Sequence, residues 1–230
     1  MNTPLLAVEH IGKTYVSGSV TAVALRDVSL QIARGEFAVL AGPSGSGKTT
    51  LLNIMGALDT PDTGAVRIAG EDFLRLSKDA RAAYRLRHIG LVFQAYNLIR
   101  VLSARENIAY VLELQGMTKA ARNARADELL ARVGMATLGE RRPDQLSGGQ
   151  QQRVAVARAL ATQPDIVLAD EPTANLDSAT GSALIALMQE LNRERGMTFV
   201  LSSHDPMVIE RAGRLIRLHD GAIASDTRGA

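Results

Sequence analysis

The chain has 230 residues, 46% of them hydrophobic and 22% charged, the balance of an ordinary soluble globular protein with one sizeable core. A net charge of +2 without a dense Lys/Arg stripe excludes a nucleic-acid footprint; zero cysteine excludes disulfides and cysteine metal sites and fits a reducing compartment. No apolar run nears the ~20 residues that span a bilayer, and Met1 to Glu9 lacks the basic stretch and long apolar core of a secretory leader, so a membrane is expected to be reached through a partner.

Leu5 to Glu9 and Val23 to Ile32 read as short strands, the second with Val28, Leu30 and Ile32 alternating with polar residues. Glu36 to Ala41 is a compact apolar run ending at a glycine-rich loop, as a buried parallel strand does. Leu51, Leu52, Met55 and Leu58 then recur at helical spacing, and Ala65 to Ala69 and Ile89 to Phe93 are further strands. From Ser103 to about Gly134 the pattern is helical without interruption, with Leu112, Leu129, Leu130 and Val133 as core candidates. Ser147, followed three residues later by Gln150, forms a capping box that starts another helix. Ile166 to Ala169 and Thr198 to Ser202 return to buried-strand composition. Between them Ser178 caps a helix whose Leu184, Leu187, Met188 and Leu191 form one face. Asp220-Gly221 marks a tight hairpin between two short strands. No repeat, low-complexity tract or Pro/Ser-rich linker is present, so these elements describe one α/β domain with a helical insertion at roughly 94–154.

The chemistry starts at Gly42-Pro43-Ser44-Gly45-Ser46-Gly47-Lys48-Thr49, a complete G-x-x-x-x-G-K-T phosphate loop between a strand and a helix. Its glycines let backbone N–H groups close around phosphate oxygens; Lys48 supplies a positive charge, and the Thr49 hydroxyl is placed for Mg²⁺. Ser147-Gly148-Gly149-Gln150 is a second helix start open to an anion, but it carries no lysine. Asp170 closes a buried strand, where a metal-organising carboxylate belongs, and the adjacent Glu171 points differently and can polarise a water. His204 follows another apolar strand and arrives at the same sheet edge. Gln94 ends the strand Ile89 to Phe93, within reach of the metal or the water. Tyr15, one of few aromatics, either stacks on adenine or packs in the core.

The ordered set Tyr15, Gly42 to Thr49, Gln94, Leu146 to Gln150, Ile166 to Glu171, Asp177 and His204 resembles the ATP-binding subunit of ABC transporters over essentially the whole chain. The resemblance implies a P-loop NTPase (RecA-like) core with an N-terminal antiparallel β-subdomain and an inserted α-helical subdomain. The core would occupy 1–93 and 155–230, and the helical part 94–154. It implies ATP and Mg²⁺ as ligands, an adenine platform at Tyr15, and a phosphate loop at Gly42 to Thr49 with Thr50 beside it. Metal contacts fall to Thr49, Gln94 and Asp170. Glu171 becomes the catalytic base, His204 the switch histidine, and Lys48 the catalytic cation.

The same resemblance makes Ser147, Gly148, Gly149 and Gln150 a signature loop that reads the phosphate held by Lys48 of a second copy, with Asp177 at that dimer interface. A polytopic membrane permease is the implied partner, and the cytoplasmic face of the inner membrane the implied location. Residues just after Gln94, including Tyr96 to Leu98, would line the groove for that partner. Phe93 to Leu98 and Leu168 to Asp177 are most similar to the lipoprotein-releasing and macrolide-exporting branch, although Ala174 stands where that branch often has glycine. The short stretch after Asp220-Gly221 argues against importers that carry an extra regulatory domain. A regulatory ATPase acting on cell-envelope enzymes through a membrane partner shares every one of these motifs. ABC-type ATPases that work on DNA need long arms or extra domains for which this chain has no room.

Overall fold

The computed structural model describes residues 4–18 and 20–229; Met1 to Thr3, part of the stretch read for a leader, lie outside the described residues. An antiparallel hairpin of β1 (Leu6–Ser17) and β2 (Val20–Ile32) leads to β3 (Phe37–Ala41), which runs through the phosphate loop into α1 (Lys48–Met55). β4 (Thr63–Ile68), the two-residue β5 (Glu71–Asp72), α2 (Lys78–His88) and β6 (Ile89–Val92) follow. Then come α3 (Ala104–Leu114), α4 (Lys119–Arg132) and α5 (Gly148–Ala161). The remainder is β7 (Ile166–Asp170), α6 (Ser178–Arg195), β8 (Thr198–Ser203), α7 (Pro206–Glu210), β9 (Arg214–His219) and β10 (Ala222–Arg228).

The strands form two sheets, a four-stranded one in the order β2-β1-β4-β5 and a six-stranded one in the order β10-β9-β3-β8-β7-β6. The first is antiparallel. In the second, β9, β3, β8, β7 and β6 are parallel and β10 is an antiparallel edge. Side chains along a strand alternate faces, and the central strands use both. Ala38, Leu40, Leu168 and Val200 pack with α1 and the antiparallel sheet; Val39, Val167, Phe199 and Leu201 pack with α3 to α6. This is the expected P-loop core with its antiparallel β-subdomain and helical subdomain, and α1 lies in the layer between the sheets. The carboxyl ends of β3, β7 and β8 therefore meet at one edge, where ligands gather in open α/β sheets.

Four local expectations need correction. The uninterrupted helix from Ser103 to Gly134 is two helices: Gly116 takes φ +84° after α3, and Thr118 caps α4 by accepting the Ala121 N–H. Leu58 lies beyond α1 and is exposed, because the helix stops at Gly56, whose N–H closes back on Leu52 O and Ile54 O. Asp177, not Ser178, caps α6, accepting the Thr180 N–H at 2.9 Å and the Thr180 hydroxyl at 2.6 Å. β1 and β2 also run further than their alternation, because their tips continue to pair in register, Tyr15 with Ala22 and Val16 with Thr21. Leu112, Leu129, Leu130 and Val133 are all buried.

One buried cation ties the sheets together. Arg214, 6% exposed, holds Asp226 bidentately at 2.7 and 2.6 Å, Glu36 at 3.0 Å and the Gln31 carbonyl at 2.6 Å. Arg214→Ala takes the bidentate partner from Asp226 and leaves Glu36 to its 3.4 Å contact with Arg228, and is expected to destabilise the fold by about 3 kcal/mol, read as a lower urea midpoint. Arg214 holds the Asp226 carboxyl below the usual carboxylate range. The stabilisation is therefore complete above the ordinary carboxylate pKa of about 4 and is lost as pH falls through the depressed value. The difference between wild type and variant should accordingly shrink in acid.

Candidate nucleotide-binding and hydrolysis site

The site begins where β3 hands over to α1. Gly42 passes so close to β9 that an added Cβ would sit 2.2 Å from the Leu218 carbonyl oxygen. Gly47 takes φ +100° at the N-cap of α1 and offers no side chain to it. The first-turn N–H groups, which have no partner within a helix, are thus left free of a capping side chain at the positive end of the dipole. Lys48, 7% exposed, bridges its own loop by donating to the Gly42 and Pro43 carbonyls at 2.8 and 3.0 Å.

The two acids at the end of β7 diverge as anticipated. Asp170 pairs in register with Ser202 of β8, and its Oδ1 accepts the Ser202 hydroxyl at 2.5 Å and the Thr49 hydroxyl at 3.1 Å. Glu171 adopts φ +44°, a conformation that costs energy outside glycine. The Ser202 hydroxyl and carbonyl, 3.0 and 3.2 Å from the Glu171 N–H, hold it there. Its side chain turns to His204, whose Nδ1 lies 2.9 Å from Glu171 Oε1 with the carboxylate accepting. Glu171 is largely buried and His204 largely exposed. A half-buried carboxylate and an exposed imidazole in contact can orient a water and take its proton.

A cleft of about 560 Å³ gathers Tyr15, Pro43 to Thr50, Gln94, Glu171, Ala174 and His204. Gly42 stands behind the loop against β9, and Asp170 reaches the cleft through Thr49. The Gln94 carbonyl accepts the Asn175 amide at 2.9 Å, joining the end of β6 to the loop after Glu171. Tyr15 is half exposed rather than core; its hydroxyl donates to Asp59 Oδ2 at 2.7 Å. Burial, then that bond, pushes the phenol pKa up.

Ser147 to Gln150 and Asp177 are not in this cleft. The capping box itself is formed: Ser147 Oγ accepts the Gln150 N–H at 3.3 Å, and Gln150 Oε1 accepts the Ser147 N–H at 2.9 Å. Ser147 is exposed at the start of α5. A Cβ added at Gly148 would meet the Tyr96 hydroxyl at 2.8 Å, so that start touches the segment after Gln94.

Several supporting residues carry no motif. Tyr96 and Asn97 both take left-handed conformations, φ +58° and +50°, and the Arg158 guanidinium donates to both of their carbonyls. Burial lowers the pKa of that guanidinium. Ser202 was legible only as a strand end and Asn175 only as part of the stretch Leu168 to Asp177, while Asp59 and Arg158 gave no signal at all, because these contacts join residues distant in sequence.

A family model described as ABC transporter matches residues 25–174. The macrolide export ATP-binding/permease protein MacB of Bradyrhizobium diazoefficiens is 49% identical over 228 residues, 99% of this chain and 35% of that protein. Its namesake in Syntrophobacter fumaroxidans is 46% identical over 225 residues, 97% of this chain and 32% of that protein. The chain thus spans about a third of the length of these curated relatives. Among solved structures, the ATP-binding cassette MJ0796, in a dimeric post-hydrolysis state bound to ADP and Pi, superposes with a TM-score of 0.91 at 42% identity. That match covers 97% of this chain and 98% of the other. With the phosphate loop, Glu171 and His204 in one cleft and Asp170 bonded to it through Thr49, the chain belongs to the ABC transporter family, as one of its ATP-binding ATPase domains.

Proposed function

We propose that two copies of this domain pack head to tail on ATP, hydrolyse it, and so drive a membrane permease that exports a substrate. The observation that carries the dimer is the position of Ser147 to Gln150. This anion-ready helix start is outside the chain's own cleft, and no lysine is built into it. A second copy's Lys48 would bring the phosphate, and Asp177, capping α6, would lie at the junction. MJ0796 is itself described as dimeric. In this reading the ATP-binding core is 1–93 and 155–230 and the helical subdomain 94–154.

Within each cleft, Tyr15 stacks on adenine, and Pro43 to Thr50 with Lys48 hold the phosphates. Thr49, Gln94 and Asp170 would hold Mg²⁺, which would neutralise phosphate charge. The Thr49 and Asp170 oxygens, already 3.1 Å apart, are the hard donors it prefers, and a site of one or two carboxylates plus phosphate is typical. A water oxygen attacks the γ phosphorus, the bond to the ADP oxygen breaks, and the water's proton passes to Glu171. His204 holds Glu171 in line through their 2.9 Å contact. Ser147, Gly148, Gly149 and Gln150 of the facing copy complete the γ-phosphate site.

The permease would dock in an apolar groove of about 600 Å³ between α2, β6 and α3, lined in part by Leu86, Leu91, Phe93, Ile99, Tyr110 and Leu114. Ile99, Tyr110 and Leu114 are large apolar side chains exposed at 39%, 42% and 56%, the mark of a contact surface. Of the three residues expected there after Gln94, Asn97 lines the groove, while Tyr96 turns to Gly148 and Leu98 packs on the core. Among the described residues no helix is long and apolar enough to cross a membrane, so the domain would sit at the cytoplasmic face of the inner membrane through that partner. The name of the MacB relatives favours export over lipoprotein release. Wild-type domain is expected to co-purify with a polytopic membrane protein. Leu114→Asp is expected to lose that capture while still binding ATP, and capture by the variant at wild-type level would overturn the docking groove.

A further inference from the structure

We infer that Asp59 is a positioning residue, holding the Tyr15 ring as the base-stacking wall of the nucleotide cleft and setting its distance from the phosphate helix. The inference rests on the proposed role of Tyr15 as the adenine platform and adds the group that makes the platform rigid.

Tyr15 sits on the outer half of β1, where the strand pairs with the tip of β2 at Ala22 after register shifts on both sides of Lys13. Such irregularities re-aim side chains. The ring is 42% exposed and belongs to neither core cluster, so apolar packing does not fix its rotamer. An exposed aromatic side chain otherwise changes rotamer in picoseconds to nanoseconds, which makes a poor stacking wall.

The loop after α1 supplies the missing restraint. Asp59 Oδ2 accepts the Tyr15 hydroxyl at 2.7 Å. Its Oδ1 accepts the Lys13 ammonium at 3.1 Å and the Thr60 N–H at 2.7 Å. Lys13 also donates to the Thr60 carbonyl at 2.7 Å and stands 5.1 Å from the centre of the Tyr15 ring. Asp62 Oδ2 accepts the Thr14 N–H at 2.7 Å, fixing the neighbouring backbone of β1 to the same loop. The loop is in turn anchored to α1, since the Leu58 and Asp59 N–H groups both donate to the Asn53 carbonyl.

These bonds form one path from the phosphate-binding helix to the tyrosine ring. Burial alone would push the Asp59 carboxyl pKa up; the bonds from Tyr15, Thr60 and Lys13 outweigh it and hold the group below the usual range. A carboxylate accepting a phenol makes a shorter and stronger hydrogen bond than a neutral acceptor. Asp59, Lys13 and Asp62 are not lining residues of the cleft; they act through Tyr15.

The test compares dissociation constants for ATP and for inorganic tripolyphosphate, which has no base, in the intact chain. Tyr15→Ala is expected to weaken ATP about tenfold, the size of a lost aromatic stack on a base, and to leave tripolyphosphate unchanged. Asp59→Ala and Tyr15→Phe are each expected to weaken ATP about threefold, with tripolyphosphate unchanged, KM raised and kcat preserved. Asp59→Ala added to Tyr15→Phe should cost less than the two single changes summed, because both remove the same bond between the Tyr15 hydroxyl and Asp59. Wild-type ATP affinity in Asp59→Ala, beside a weakened Tyr15→Ala, would overturn the positioning role and leave the platform standing. Equal weakening of ATP and tripolyphosphate by Asp59→Ala would overturn it as general damage to the loop. An unchanged Tyr15→Ala would remove the platform, and the role of Asp59 with it.

Discussion

Replacing Glu171 with glutamine is expected to slow ATP hydrolysis by about two to four orders of magnitude, the usual contribution of a general base, while ATP binding survives. The amide keeps the shape of the carboxylate and can still accept from His204 Nδ1 at the observed 2.9 Å separation. It cannot take up the proton that the attacking water must lose. Nor should the backbone change, since φ +44° at this position is held by the Glu171 N–H on Ser202 rather than by the side chain. Because hydrolysis removes the phosphate that both copies are proposed to share, its loss should trap the closed state. Light scattering of Glu171→Gln with ATP should therefore show a stable dimer where wild type shows one only transiently. A variant that still hydrolyses ATP at near wild-type rate would remove Glu171 from the base role.

Ser147→Arg is expected to reduce hydrolysis at least a hundredfold without weakening the chain's own hold on ATP, the scale of losing preorganised donors at a reacting group. Ser147 is exposed at the start of α5 and outside the cleft, so a large side chain fits without disturbing the core. The substitution loses one cap, the Ser147 Oγ to Gln150 N–H bond, at a cost of about 1 kcal/mol. That is small beside the stability of a domain. What it fills is the anion-ready surface that the facing copy's γ phosphate should meet. Nucleotide affinity measured at low protein concentration should match wild type, while dimers and turnover both disappear. Normal turnover in Ser147→Arg would mean that the second helix start reads no phosphate.

Legibility in the sequence followed the range of the interactions. The phosphate loop was readable because closing a backbone around phosphate demands glycines and a lysine at fixed spacing, and the structure places that loop between β3 and α1. The capping box at Ser147 was readable for the same reason, since both of its bonds lie within four residues. Asp170 and Glu171 could be seen to diverge, because they straddle the end of a buried strand.

What escaped depends on folding partners far along the chain. α2 has a single buried residue, Tyr84, and so almost no apolar period; only the Ser77 cap and the cluster Arg85, Arg87 and His88 at its end betray it. The break between α3 and α4 rests on Gly116, which a continuous apolar pattern on either side concealed. At α6 two cap-competent residues are adjacent, and Asp177 wins because its oxygens reach both the N–H and the hydroxyl of Thr180. Asp59 with Tyr15 and Arg158 with Tyr96 join residues 44 and 62 positions apart, beyond any local pattern.

The composite site is tested most directly by mixing two inactive chains. Lys48→Ala keeps its Ser147 start but loses the phosphate lysine; Ser147→Arg keeps Lys48 but loses the start. Head-to-tail pairing of one with the other rebuilds one site from the intact Lys48 and the intact Ser147, and ruins the second. Each mixed dimer therefore holds one intact site of its two, as a two-fold interface requires. ATP hydrolysis should therefore appear on mixing where neither chain alone has any. A mixture as inactive as its parts, with mixed dimers present, would contradict a site shared between two copies.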